Sequence, residues 1–237
     1  KGMRGEEIPH VYTGFAGLMG DRIYGVIAED GDPAFPWHTG RDQEEFVLYE
    51  ARYTSGDDLL LPKNIDAFEG LAPGIKPIYP DDEAFSVNVK TPDGKIVGIE
   101  SREFLDDLEK TTDRSLRVHM TQQGQHDCRP VSIFSLSALA ALSEETGMKI
   151  DKRRFRANFY VEWENQDDPY YEFSLVGKSL KIGDKLEVRV IERDPRCKMI
   201  TLDPDTSDES PKLLQHVSRR HGGDAGVFAA VLSEGRV

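Results

Sequence analysis

The chain has very little cysteine. Two thiols, Cys128 and Cys197, stand far apart in 237 residues, and no Cys-x-x-Cys occurs. That excludes a disulfide framework and argues against structural zinc or an iron–sulfur cluster. Both thiols fit a reducing cytoplasm. Long apolar runs are also missing: the longest resemble "FSLSALAAL", far short of the roughly 20 residues that cross a bilayer, so no membrane partner is expected. No opening segment reads as a signal, and Lys1 in place of Met suggests a missing short N-terminal piece. Basic excess is absent too, with a net charge of −13 and a pI near 4.9. Such a surface repels phosphate backbones, so nucleic acid is excluded as the main partner. A local arginine cluster can still attract a small anion. Neither glycine-rich nucleotide motif is found, and there is no repeat or low-complexity linker.

What remains is an ordinary globular composition, 38% hydrophobic and 31% charged. Its length suits one large domain or two small ones. Phe85, Val87 and Val89 alternate, Pro92-Asp93-Gly94 turns, and Ile96-Val97 returns, which predicts a hairpin. "SREFLDDLEKTT" predicts a short helix capped by Ser101, with Phe104, Leu105 and Leu108 on one face. "FSLSALAALSEETGM" predicts a second, closed by Gly147. "SPKLLQHVSRRHGG" predicts a third, with Ser210 at the cap and Pro211 at its first position. "VSIF", "NFYVEW", "SLKIGDKLEVRVIERD" and "AGVFAAVLSEG" read as strands. The expected fold class is mostly β, a barrel or sandwich with short peripheral helices, α+β overall, rather than a doubly wound sheet.

Several stretches carry candidate chemistry. In "DPRCKMITLDPDT", Cys197 is either a small buried hydrophobe or a reactive thiolate in charged surroundings. On extended chain, Arg196 and Lys198 point to the opposite face, so any charge that activates the thiol comes from elsewhere. "RRFRAN" (153–158) is either a solvated turn or an anion site, with Arg154 and Arg156 sharing a face. "HDCRP" (126–130) is either a polar turn or a weak metal pair. "GLMGDR" (17–22) is either an ion-paired turn or a tight backbone approach. No local signature supports a cysteine hydrolase.

Together these pieces resemble the MOSC superfamily, named after the C-terminal domain of molybdenum cofactor sulfurase. "KGMRG" and "GFAGLMGDRIYGVI" are similar to parts of the associated N-terminal β-barrel domain. "DCRPVSIFSLSAL", "RRFRANFYVE", "DPRCKMITLDPDT" and "GDAGVFAAVL" match successive MOSC motifs in order. The resemblance implies an N-terminal β-barrel-like domain over 1–100 and a MOSC domain over 101–237. It implies a molybdenum cofactor (Mo-molybdopterin) and, as in the amidoxime-reducing branch, an oxidoreductase that reduces small N-oxygenated substrates. Electrons would come from a separate electron-transfer protein, because the plant-type ferredoxin spacing is absent. Pyridoxal phosphate is not implied. Carried over motif by motif, Cys197 ligates molybdenum, while Lys1, Arg22, Asp127, Arg156 and Asn158 bind the cofactor, Arg156 at its phosphate. The family's hydroxyl pair after the aspartate is Cys128-Arg129 here. Arg129 would replace those hydroxyls on the phosphate, and Cys128 would join the site or act as a second thiol. Gly2 and Ala157 also depart from the motifs. The alternatives are a sulfur carrier with a persulfide on Cys197, or a module that binds and hands over cofactor without turnover.

Overall fold

The computed structural model describes residues 1–56, 58–67, 69, 75–164 and 167–237. In chain order its elements are β1 (Tyr12–Gly14), β2 (Gly17–Leu18), β3 (Tyr24–Asp32), β4 (Phe35–His38), β5 (Glu50–Tyr53), β6 (Val87–Lys90) and β7 (Ile96–Gly98). There follow α1 (Arg102–Glu109), β8 (Leu116–Met120), β9 (Val131–Ser135), α2 (Leu136–Thr146), β10 (Phe159–Val161) and β11 (Ser179–Ile182). The chain closes with β12 (Leu186–Pro195), α3 (Pro211–Arg220), β13 (Asp224–Ser233) and β14 (Gly235–Arg236). Short 3-10 turns lie between them, including Lys152–Phe155, Tyr171–Leu175 and Lys198–Thr201. The chain is mostly strand with short peripheral helices, α+β overall, as its sequence leads one to expect. No helix of the described residues is long and apolar enough to cross a membrane.

Local signals account for most boundaries. The Ser101 side chain accepts from the Phe104 amide and starts α1. Gly147, at φ 62°, takes the left-handed position that ends α2. Pro211 opens α3, although Ser210 makes no side-chain capping bond there. β6 and β7 pair antiparallel, with Val89 opposite Val97.

The main sheet is five-stranded and curled into a half-barrel, in the order β10-β9-β13-β12-β11. Three smaller sheets, β4-β3-β8, β5-β6-β7 and β14-β1-β2, complete the described strands. Val131 and Ile133 of β9 pack with Val188, Val190 and Val227 on one face. Phe134, pointing the other way, joins Leu142, Phe155, Ile200, Leu213 and Val217 under α2 and α3. Met3, Val26, Phe46, Phe85, Phe104 and Leu116 build a separate core in the first half.

One irregularity bears on the site. Pro195 pairs with Asp224 and Arg193 with Val227, so β13 carries one extra residue opposite Asp194. Gly226 absorbs it at φ 82°. That break in alternation sends Ala225 to the helix-side core and Val227 to the opposite one. A Cβ on Gly226 would lie 2.7 Å from the Ile133 carbonyl and 3.1 Å from the Arg196 guanidinium. A left-handed conformation costs a residue with a side chain about 1–2 kcal/mol before any clash. Gly226→Ala is therefore expected to destabilise the fold by about 2–4 kcal/mol in chemical denaturation. A loss below about 0.5 kcal/mol would show that the bulge is not held this tightly.

Candidate functional site

β12 ends at Pro195, and Cys197 follows in extended conformation (φ −122°, ψ −175°) as the cap of the 198–201 turn. Its charged neighbours in sequence turn elsewhere. Arg196 Nε donates to the Ala225 carbonyl at 2.6 Å and Nη1 to the Phe155 carbonyl at 2.8 Å. Its Nη2 lies 2.8 Å from Asp194, with side-chain exposures of 7% and 5%. Lys198 pairs with Glu44. The charge beside the thiol comes from the first half of the chain: Arg41 Nη2 donates to Cys197 Sγ at 3.2 Å.

Arg41 reaches that point through its own turn. Asp42 Oδ2 accepts from the Thr39 amide, and Thr39 Oγ1 accepts from the Arg41 amide. Gly40 lets this turn press on the 198–202 segment, since a Cβ there would sit 2.8 Å from Leu202 Cδ1. The guanidinium lies 4.5 Å from the Phe35 ring centre, and its Nε is buried with no protein partner. Sequence reasoning missed Arg41. The available signal was Thr-Gly-Arg-Asp, a turn that presents an arginine, but nothing local names its target.

Lys1 Nζ lies against the same ring, 5.5 Å from the centre of Phe35, and 4.8 Å from that of Trp37. Its Nζ donates to Asp127 Oδ1 at 2.5 Å and to the Gln125 carbonyl at 2.9 Å. Burial lowers its pKa, and Arg22 and Arg41 push the same way against Asp127. Arg22 and Arg156 both hold left-handed backbone, at φ 52° and 55°. Such strain persists only where surrounding contacts enforce it. Arg22 pairs with Asp21 and donates to the Arg156 carbonyl at 3.1 Å. Arg156 donates to the Met3 carbonyl at 2.7 Å. Its pKa is lowered to about 10, first by burial and then by Arg22. Asn158 orders this corner: its amide donates to Asp21 at 2.9 Å and its Oδ1 accepts from the Ser132 amide and hydroxyl. Lys1, Arg22, Arg156, Asn158 and Tyr160 line a cleft of about 530 Å³, whereas Cys197 and Arg41 lie outside its lining.

The arginines of 153–156 do not share a face. Residues 152–155 form a 3-10 turn rather than strand, so the alternation expected of extended chain does not apply. Arg153 pairs with Asp151 and Asp205. Arg154 pairs with Asp203 at 2.7 Å and donates to the Thr201 carbonyl. The Asp-Pro-Asp segment after Cys197 thus neutralises Arg153 and Arg154; Arg153 and Arg156 both line the cleft, and Arg154 does not.

Other candidates stand apart. Arg129 Nε lies 2.9 Å from Glu192, both side chains being 45% exposed, so its charge is already paired at the surface. Cys128 is exposed, and partial burial, then Asp127, Asp194 and Glu192, raise its pKa. Asp127 is the exposed partner of Lys1. His126 contacts the Ala16 carbonyl at 2.9 Å and packs so tightly on Gly17 that a Cβ there would lie 2.8 Å from its Nε2. It shapes a turn rather than joining Asp127 on a metal.

The family model for the MOSC domain matches residues 116–237, half of the chain. The chain belongs to the MOSC domain family. It is 27% identical over 220 residues to mitochondrial amidoxime reducing component 2 of Bos taurus, covering 81% of this chain and 59% of that one. The chain thus spans 59% of that curated relative's length. Among solved structures, the YUAD protein of Bacillus subtilis aligns over 98% of this chain and 81% of its own, at 14% identity and TM-score 0.43. YiiM of Geobacillus stearothermophilus aligns over 46% and 50%, at 15% identity and TM-score 0.36.

The Asp194–Arg196 pair gives a pH test. Burial pushes Asp194 up to about 6 despite Arg196, and burial also lowers Arg196. The folded carboxyl therefore takes a proton more readily than the unfolded one, whose pKa is 3.8. This contribution to stability is full below the unfolded pKa and is lost as pH rises through about 6. Asp194→Asn removes the titration, so wild type should lose stability relative to the variant between pH 4 and 7. Parallel stability curves would show that Asp194 titrates normally.

Proposed function

We propose that this protein binds a molybdenum–pterin cofactor and reduces small N-oxygenated substrates with electrons from a separate protein. The observation that carries this reading is the Arg41 guanidinium 3.2 Å from Cys197 Sγ, with Lys1 against the same Phe35 ring as Arg41 and Lys1, Arg22 and Arg156 lining one cleft. In a chain of net charge −13, such a convergence suits an anionic group beside a thiolate. The donor set fits the cofactor. A thiolate is a soft ligand suited to a transition metal. Guanidinium groups match phosphate bidentately, and the buried Arg41 Nε has a donor to spare. When bound, the cofactor supplies a two-electron redox centre.

The residues would divide the work as follows. Cys197 binds the metal, and Arg41 donates a hydrogen bond to its sulfur. Arg22 and Arg156 take the phosphate, oriented by Asp21 and Asn158. Lys1 adds charge and is steered by Asp127. On this reading residues 1–100 supply Lys1, Arg22 and Arg41, and residues 101–237 the thiol, Arg156 and Asn158, so that both stretches would contact the cofactor. Arg129 is not part of this assignment, because Glu192 already holds its charge.

Cys197→Ala is expected to abolish retained molybdenum, read by elemental analysis of fresh protein, and amidoxime turnover with a supplied reductant. Unchanged metal content and activity would sink the assignment. Arg156→Ala should keep the fold and weaken cofactor retention by roughly 1.5–3 kcal/mol, the worth of one charged hydrogen-bonded contact. Wild-type retention in a folded variant would remove Arg156 from the phosphate site.

A further inference from the structure

The C-terminal helices hold a second group of ligand-type side chains, remote in sequence from the residues assigned above. Glu145, near the end of α2, meets His216 of α3 and His221, which closes α3. Glu145 Oε2 is 2.6 Å from His216 Nε2 and 2.7 Å from His221 Nε2. All the ligand atoms lie within 4.8 Å of one another, and among the described residues this is the group of His, Cys, Asp and Glu side chains that converges so closely. The side chains are 33%, 20% and 13% exposed, respectively, so a hydrated ion can enter.

We propose that Glu145, His216 and His221 bind a zinc-class divalent cation that braces α2 against α3. Both imidazoles already aim Nε2 at one point, the carboxylate oxygen. A tetrahedral zinc, with bonds of about 2.0–2.2 Å, needs its ligand atoms roughly 3.3–3.5 Å apart. The carboxylate must therefore retreat by less than about 1 Å, the two Nε2 atoms, which lie within 4.8 Å of each other, must take the same spacing, and each must give up its proton. Two imidazole nitrogens and one carboxylate oxygen select a borderline transition ion over magnesium or calcium, which prefer oxygen alone.

Tyr170 completes the arrangement. Its hydroxyl donates to the second oxygen of Glu145 at 2.8 Å, and its ring lies 4.4 Å from that of His221. This leaves Oε2 for the ion and fixes the carboxylate as a one-oxygen ligand, the usual task of an outer hydrogen-bond partner. Arg193 and Arg220 line the adjoining cleft and oppose a dication, which limits affinity without blocking the position. The brace would act behind the thiol loop, since Leu213 and Val217 of α3 share a core with Ile200.

The proposal is independent of molybdenum binding. Its test titrates tag-free, chelator-stripped full chain with Co²⁺ and then Zn²⁺. Wild type should bind one equivalent of Co²⁺, show weak visible bands that Zn²⁺ abolishes, and melt at a higher temperature with Zn²⁺. His216→Ala, His221→Ala and the near-isosteric Glu145→Gln should each weaken Co²⁺ binding at least tenfold. Tyr170→Phe should weaken it about tenfold, and His119→Ala should leave it unchanged. Equal binding by wild type and Glu145→Gln, or by a folded His216→Ala/His221→Ala double variant, overturns the proposal. So does an intense near-ultraviolet thiolate band, or no binding below millimolar Co²⁺.

Discussion

Arg196 is the group on which the arrangement around Cys197 depends. Its buried guanidinium ties together the end of β12, the bulge of β13 and the 3-10 turn that ends at Phe155, through bonds to Ala225 and Phe155 and an ion pair with Asp194. Burial of a charge pair is costly, and here both partners shift toward their neutral forms, so Coulomb attraction does not fully offset desolvation. What the pair supplies is position. Arg196 also stands within 6 Å of the Phe134 and Phe155 ring centres, at 5.8 and 5.4 Å, so packing holds it along with its bonds. Gly226 is the backbone counterpart, because a side chain there would collide with the guanidinium. With the residue before the thiol immobilised, Cys197 has one way to face.

The second constraint is electrostatic. An acidic chain could neutralise every arginine it contains. It does so selectively: Asp203 and Asp205 take Arg154 and Arg153, Glu192 takes Arg129, and Asp205 also takes Arg4. Lys1 and Arg41 stand at one Phe35 ring and Arg22 stands against Arg156, with Asp127 pairing Lys1 and Asp21 pairing Arg22. Burial first, and the neighbouring Arg22 next, lower the pKa of Arg156. A fold that keeps such a cluster, with Arg22 and Arg156 in left-handed backbone, stores free energy that a bound anion would release.

Legibility in sequence followed the range of each interaction. Ser101, Gly147 and Pro211 act within a turn of their own helices, and the hairpin around Asp93-Gly94 is equally local, so these elements could be read directly. Extended geometry directs Arg196 away from the thiol, whereas Lys198 already opens a 3-10 turn and turns to Glu44. Arg153–Arg156 misled because a 3-10 turn replaced strand, which no hydrophobic alternation could reveal over so short a span. Arg41 and Cys197 are 156 positions apart, and no local rule joins them. The expectation of no zinc rested on cysteine spacing, and that criterion is blind to a group assembled from Glu145, His216 and His221 on separate helical segments.

The pairing of Arg41 with Cys197 has a further consequence for how the thiol is controlled. The sulfur is carried by the 194–201 loop, whereas the guanidinium is carried by the Thr39–Asp42 turn, and close packing of Gly40 on Leu202 and Met199 brings the two together. A side chain at position 40 would lift the turn and withdraw the charge while leaving Arg196, Asp194 and the bulge untouched. The direction of Cys197 is therefore set within the second half of the chain, whereas the guanidinium that donates to its sulfur comes from the first. The contact at Gly40 is where the two are joined.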